Sequence, residues 1–252
     1  MYADDLILIS ASIIDLQSML QICNETAKDL GINFNPTKSV GFQIGPNVIL
    51  QPSPLVISNL NLPWVDKADY LGITLSKAKS FLVDLSKIRA KFYSTVYSIL
   101  SKCNTTSDMV KLKLLESHCL PILLYAVESL NLPCFQIKEL NACWNSVYRK
   151  IFKYQRWESV KTLICTSGRL DLHRIINQKS LSFIINLSNN DKIPDILSHY
   201  SMTSHQSSKE HTALFKKFDC YGLFSIHAIK SKLYQGFKIL CLDSSLICNS
   251  VN

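Results

Sequence analysis

Ala68-Asp69-Tyr70-Leu71-Gly72-Ile73 stands where the chain changes style. Upstream of it, from Ile32 to Leu75, lie five of the eight prolines and, with Gly31 at the edge, four of the seven glycines. Proline removes a ladder donor and glycine admits turns, so this segment predicts short strands separated by turns. Downstream, apolar residues recur at helical spacing: Leu85, Ile88, Phe92, Val96 and Ile99 form one stripe, and Leu140, Trp144, Val147, Ile151 and Tyr154 another. Between the stripes, Asp108 to Leu130 predicts a third helix kinked at Pro121. A further helix is expected from His173 to Leu187, then a Ser/His/Asn-rich loop to Ser208.

The beginning of the chain predicts a hairpin and a helix. Tyr2 to Ile9 carry turn-favouring Asp4-Asp5 followed by the apolar run Leu6-Ile7-Leu8-Ile9. Ser12 or Asp15 then suits a helix N-cap, with Ile13, Leu16, Leu20, Cys23, Ala27 and Leu30 on one face and Gly31 as the stop. The pattern is that of an α+β chain: short strands with one helix, followed by a mostly helical region. The style changes near residues 76–80 and the helical signal weakens beyond about residue 160, so the chain is expected to divide into 1–78, 79–160 and 161–252.

The 252 residues are 47% hydrophobic and 18% charged, too apolar for a disordered chain. No apolar run approaches the roughly 18 residues of a membrane span. Acids rather than basic residues follow Met1, so a secretory signal is not expected and the location predicted is intracellular, in nucleus or cytoplasm. Nine scattered cysteines, an odd number without a Cys-x-x-Cys pair, suit reduced thiols. His199, His205 and His211, at six-residue spacing, fit no usual zinc pattern and read as a polar loop, and Cys220 and His227 add nothing to it. The net charge of +8 is uneven: residues 1–80 carry −2, and residues 81–160 and 161–252 carry +5 each. The excess suits a soluble surface or a polyanionic partner met by the later two-thirds.

Two groups of residues carry candidate chemistry. Asp4 and Asp5 at a turn beside Tyr2 are usually only a solvated turn, although adjacent carboxylates are also what Mg²⁺ takes alongside phosphate oxygens. Arg149, Lys153 and Arg156 stand at i, i+4 and i+7 beside Tyr148, Tyr154 and Trp157, a spacing that puts them on one helix face. Such a face is either solvated or tracks a phosphate backbone. Lys87, Arg89 and Lys91 are weaker candidates of the same kind.

The order of motifs resembles the reverse transcriptases of non-LTR (LINE-like) retrotransposons. Tyr2-Ala3-Asp4-Asp5 before an apolar run is similar to the box at the centre of their palm. Leu30-Gly31-Ile32-Asn33-Phe34-Asn35-Pro36-Thr37-Lys38-Ser39 is similar to the next palm motif, in which a glycine ends a helix and a lysine follows in a strand. Ala68 to Ile73 resembles the Tyr-Leu-Gly primer grip. Leu120 to Glu128 resembles a proline-containing helix ending in Tyr-Gly-x-Glu, with Ala126 in the glycine position, and Val147-Tyr148-Arg149-Lys150-Ile151 resembles the basic helix after it. The likeness covers residues 1–187.

The resemblance implies a partial palm over residues 1–78 whose strands form a small, incomplete antiparallel sheet, a helical thumb over 79–160, and a connection and unassigned tail over 161–252. It implies an RNA-directed DNA polymerase acting through two Mg²⁺ or Mn²⁺ ions. Asp4 and Asp5 would be metal ligands, Lys38 the acid at the leaving pyrophosphate, and Tyr2, Tyr70, Leu71 and Gly72 contacts of the primer. RNA template and DNA primer would be the partners, with no membrane. Because the family's fingers and first catalytic aspartate precede this box, the chain alone is expected to be inactive in polymerisation and to bind metal weakly. A non-catalytic nucleic-acid-binding module and a non-functional relic are the alternatives.

Overall fold

The computed structural model describes residues 5–46, 48, 52–130, 132–188 and 233–235. The fold is of the mixed α+β class, and the chain divides into two compact units between Lys87 and Ile88. By sequence, the first carries 6 basic against 8 acidic side chains and the second 21 against 11.

The first unit is built on α1 (Ile13–Asp29). Ser12 caps it, its hydroxyl accepting from the Asp15 amide at 3.4 Å. At the other end Gly31 adopts φ +72°, and the amides of Gly31 and Ile32 turn back to the carbonyls of Lys28 and Ala27 at 3.0 and 2.7 Å. This is the glycine-terminated helix end in which a left-handed residue lets the chain satisfy the last carbonyls. Ile13, Leu16 and Leu20 pack, with Phe34 and Trp64, on the buried Leu55, Ile57 and Leu62. Leu30, expected on that face, is exposed, because it is the cap residue at which the chain leaves helical geometry.

The strands are short, as the prolines require. β1 (Gly41–Phe42) pairs in parallel with β4 (Trp64–Val65). β2 (Leu55–Ile57) and β3 (Leu60–Leu62) form a hairpin across Ser58-Asn59, at φ 47° and 64°. β5 (Lys67–Tyr70), β6 (Ile73–Ser76) and β7 (Val83–Asp84) form an antiparallel meander. β7 lies beyond the change of style at 76–80 yet completes this sheet, so the division between units falls later than the sequence pattern places it.

A two-residue turn makes Ile57 and Leu60 exchange the first ladder bonds, which leaves the N–H and C=O of Val56 pointing away from β3. The side-chain amide of Gln17 on α1 takes both: its Nε2 donates to the Val56 carbonyl at 2.9 Å, and its Oε1 accepts from the Val56 amide at 2.8 Å.

The second unit is helical and contains α2 (Ser86–Lys102, from its third residue on), α3 (Asp108–His118), α4 (Leu120–Leu123), α5 (Cys134–Phe152), α6 (Lys161–Thr166) and α7 (Leu172–Ser188). α5 is central and packs on α3 and α7. Its predicted stripe is buried at Leu140, Trp144, Val147 and Ile151. The rings of Phe92, Trp144 and Tyr148 follow one another at 6.4 and 5.8 Å between centroids. α7 packs on α5, so the described helices beyond residue 160 fall in this unit.

The helix expected from Asp108 to Leu130 is instead two helices and a run of turns. Pro121 has no N–H and stands in the first turn of α4, where a missing donor costs nothing. Ala126 then takes φ +57°, which no right-handed helix tolerates. The predicted loop 189–208, His199, His205, His211, Cys220 and His227 lie outside the described residues. No helix among the described residues is long and apolar enough to cross a membrane.

Candidate nucleic-acid interface

Tyr2 and Asp4 lie outside the described residues. Asp5 is exposed in an isolated bridge, and Leu6 to Ser10 make no ladder, contrary to the predicted hairpin arm. Leu6, Ile7 and Ile9 are exposed. An apolar run becomes a strand only when a neighbouring strand accepts it, and none among the described residues does so. Lys38 is exposed in a turn, not in the strand the resemblance implies. Asn35 makes that turn: its side chain accepts from the Thr37 amide and hydroxyl at 3.0 and 2.7 Å, its carbonyl from the Lys38 and Ser39 amides at 3.2 and 3.1 Å, and Pro36 supplies the fixed φ.

Tyr70-Leu71-Gly72-Ile73 is a tight hairpin. Leu71 and Gly72 form its two-residue loop at φ 47° and 77°, and Tyr70 faces Ile73. Behind it, Asp69, Thr74 and Asp84 lie in register across three strands. Lys87 bonds Asp69 at 2.6 Å, the Thr74 hydroxyl donates to Asp69, and Lys67 bonds Asp84. Lys87 and then Thr74 hold the Asp69 carboxyl below its ordinary value. Lys67, with the Ser86 hydroxyl and amide, holds Asp84 far below it. Each carboxylate has its own lysine, so this row stitches the meander to the start of α2. Among the described residues no group of three or more His, Cys, Asp or Glu is arranged to hold a metal ion.

The basic residues come together in the second unit, in a way their spacing does not foretell. α5 ends at Phe152, and Lys153 caps it in the left-handed conformation, φ 60° and ψ 30°. Lys153 and Arg156 therefore do not share a helix face with Arg149; the face stops one residue short. The chain turns back instead, so that Arg149, Lys150, Tyr154 and Arg156 line a groove of about 520 Å³ together with Arg89 and Tyr93 of α2. Four cationic side chains face one carboxylate, Glu139, in its lining. Glu139 pairs with Arg89, and although burial works against that charge, the carboxylate keeps the guanidinium protonated above its ordinary value. Burial pushes the Tyr93 phenol up. Lys150 sits 3.7 Å from the centre of the Tyr97 ring, which orients the ammonium without neutralising it. Tyr148, expected beside the basic residues, is wholly buried.

The loop from Lys153 to Ser159 is exposed throughout and tightly fastened. The Tyr154 amide donates to the Arg149 carbonyl at 3.0 Å, the Glu158 amide to the Gln155 carbonyl at 3.2 Å, and the Gln155 amide to the Glu158 carboxylate. Arg149 donates its Nε to the Glu158 carbonyl at 3.0 Å. Arg156 and Trp157 occupy the tip.

No protein-family model, curated protein or solved structure matches the chain. Sequence reasoning missed Tyr93 and Glu139 in the groove and Tyr97 beneath Lys150. Arg89, Tyr93 and Tyr97 stand four apart on α2, and that run of a cation and two tyrosines was the available signal.

Proposed function

We propose that the chain is a nucleic-acid-binding portion of a non-LTR retrotransposon reverse transcriptase, with residues 1–78 as partial palm, 79–160 as thumb and 161–252 as connection and tail. The observation that carries the binding is the groove: two helices and a locked loop bring Arg89, Arg149, Lys150 and Arg156 around one carboxylate, in the unit that holds the positive excess. A polyanion gains there by releasing counterions. Two backbone details support the family reading. Tyr70-Leu71-Gly72 forms a tight turn where the family grips its primer, and Ala126 has positive φ at the position where the family has glycine. RNA template and DNA primer are the partners in this reading. Asp4 and Asp5 offer hard carboxylate oxygens, the donors Mg²⁺ or Mn²⁺ prefers, and an ion held there would neutralise charge at a triphosphate. Lys38, exposed at its turn, would add positive charge to the leaving pyrophosphate.

The test is binding of labelled RNA and DNA oligonucleotides by the whole chain as a function of salt. Replacing Arg149, Lys150 and Arg156 with alanine should weaken binding and lower the slope of log K against log salt by about 2 to 3, since each lost phosphate contact removes about 0.7 to 0.9. Asp4→Ala should leave both unchanged. Binding that ignores the triple substitution would sink the reading.

A further inference from the structure

Trp157 is 82% exposed, the most exposed of the large aromatic side chains described, and it stands next to Arg156 at the tip of a turn that is fastened from both sides. Arg149 holds the turn through the Glu158 carbonyl, the Glu158 carboxylate closes it onto the Gln155 amide, and Val160, 2% exposed, anchors its exit. The indole therefore stands in water on a rigid mount, with Tyr154, 39% exposed, on the adjacent groove wall. A preordered aromatic face next to Arg156 and the groove cations fits a ligand that carries both a flat apolar ring and negative charge.

We infer that Trp157 is a stacking platform for an unpaired base, and that the groove beside it selects single-stranded over double-stranded nucleic acid. This rests on the nucleic-acid reading above and adds to it the strandedness of the ligand. The groove cations bind phosphate in either form. Bases inside a duplex are already stacked and paired, so only a single strand can offer a free π-face to the indole. Stacking is tolerant of sequence, so the preference is for exposed bases rather than for particular ones.

The experiment uses the whole chain and fluorescein-labelled probes of about 15 nucleotides, within the span that one such groove covers. The probes are one single strand, the same strand annealed to its complement, and the same strand with central abasic sites and every phosphate kept. The wild-type chain should bind the intact single strand about tenfold more tightly than the abasic strand or the duplex at equal salt. Trp157→Ala should remove that advantage while changing duplex affinity less than about twofold, and should leave the salt slope unaltered, because no phosphate contact is lost. Trp157→Phe should restore most of the preference. Equal affinity of the wild type for intact and abasic strands would overturn the inference, as would a Trp157→Ala effect that falls equally on all probes. Neither result touches the basic groove, which stands or falls with the triple alanine variant.

Discussion

Ala126→Gly tests the break after α4. Two readings of this position differ in sign. If Asp108 to Leu130 were continuous helix, glycine would cost about 1 kcal/mol relative to alanine. In the structure Ala126 sits at φ +57°, held between buried Leu124 and Val127, while its carbonyl accepts from the amides of Ser129 and Leu130, each at 3.1 Å. An L-residue there carries a penalty of about 1 to 2 kcal/mol that glycine avoids. Against this stand the greater entropy of unfolded glycine, about 0.5 to 1 kcal/mol, and a half-buried methyl worth about 0.4 kcal/mol. The balance runs from a loss of about 0.4 to a gain of about 1.1 kcal/mol, centred on a gain of about 0.4, which is roughly 1.4 kcal/mol away from the helical expectation. Urea unfolding followed by circular dichroism and tryptophan fluorescence measures it, as a rise in midpoint at unchanged slope. A midpoint that falls by the equivalent of about 1 kcal/mol would refute the left-handed assignment.

Other perturbations probe the remaining structure. Asp84 titrates well below its ordinary 3.8 in the folded chain, so its contribution is complete above that value and disappears as pH falls through the lower folded value; Asp84→Asn should flatten the acid limb of the stability curve of residues 1–87 below about pH 4. A Cβ on Gly41 would lie 2.9 Å from the Trp64 ring, so Gly41→Ala should cost about 1 to 3 kcal/mol and shift the Trp64 emission; an unchanged spectrum and midpoint would contradict the close packing of β1 on β4. Arg169 makes a two-pronged bond to Glu116, both side chains about 20% exposed, and Arg169→Met should cost the helical unit about 2 kcal/mol in urea unfolding. Burial pushes the Cys119 thiol up to about 11, so thiol mapping of the folded chain should label exposed Cys134 and spare Cys119 until unfolding; equal labelling would show that the α3–α4 junction opens.

Features set by local chemistry were legible in the sequence. Ser12, Gly31 and the apolar spacing place α1 because cap, stop and stripe all act within a few residues. The same spacing misleads at the end of α5, where Tyr154 continues the rhythm although Lys153 has already left the helix. Periodicity carries no backbone sign, and nothing in it marks a positive φ at Lys153 or Ala126. Leu6 to Ile9 have the composition of a strand, but a ladder is non-local and the composition does not supply one. At the candidate site, the chemistry of Arg149 and Arg156 was readable while its geometry was not: the groove needs Arg89 and Tyr93 from another helix, and the loop geometry replaces the expected helix face.

The double bond from Gln17 to Val56 ties the melting of a helix to the exchange of a strand amide. The Val56 N–H gets its shelter from a side chain 39 residues away in sequence, near the start of α1, so it opens when α1 shifts or frays, even with the β2–β3 ladder intact. Its deuterium uptake should therefore follow that of the first turns of α1 rather than that of Leu55 or Ile57. One backbone amide thus serves as a local gauge of whether helix and hairpin move as a single piece.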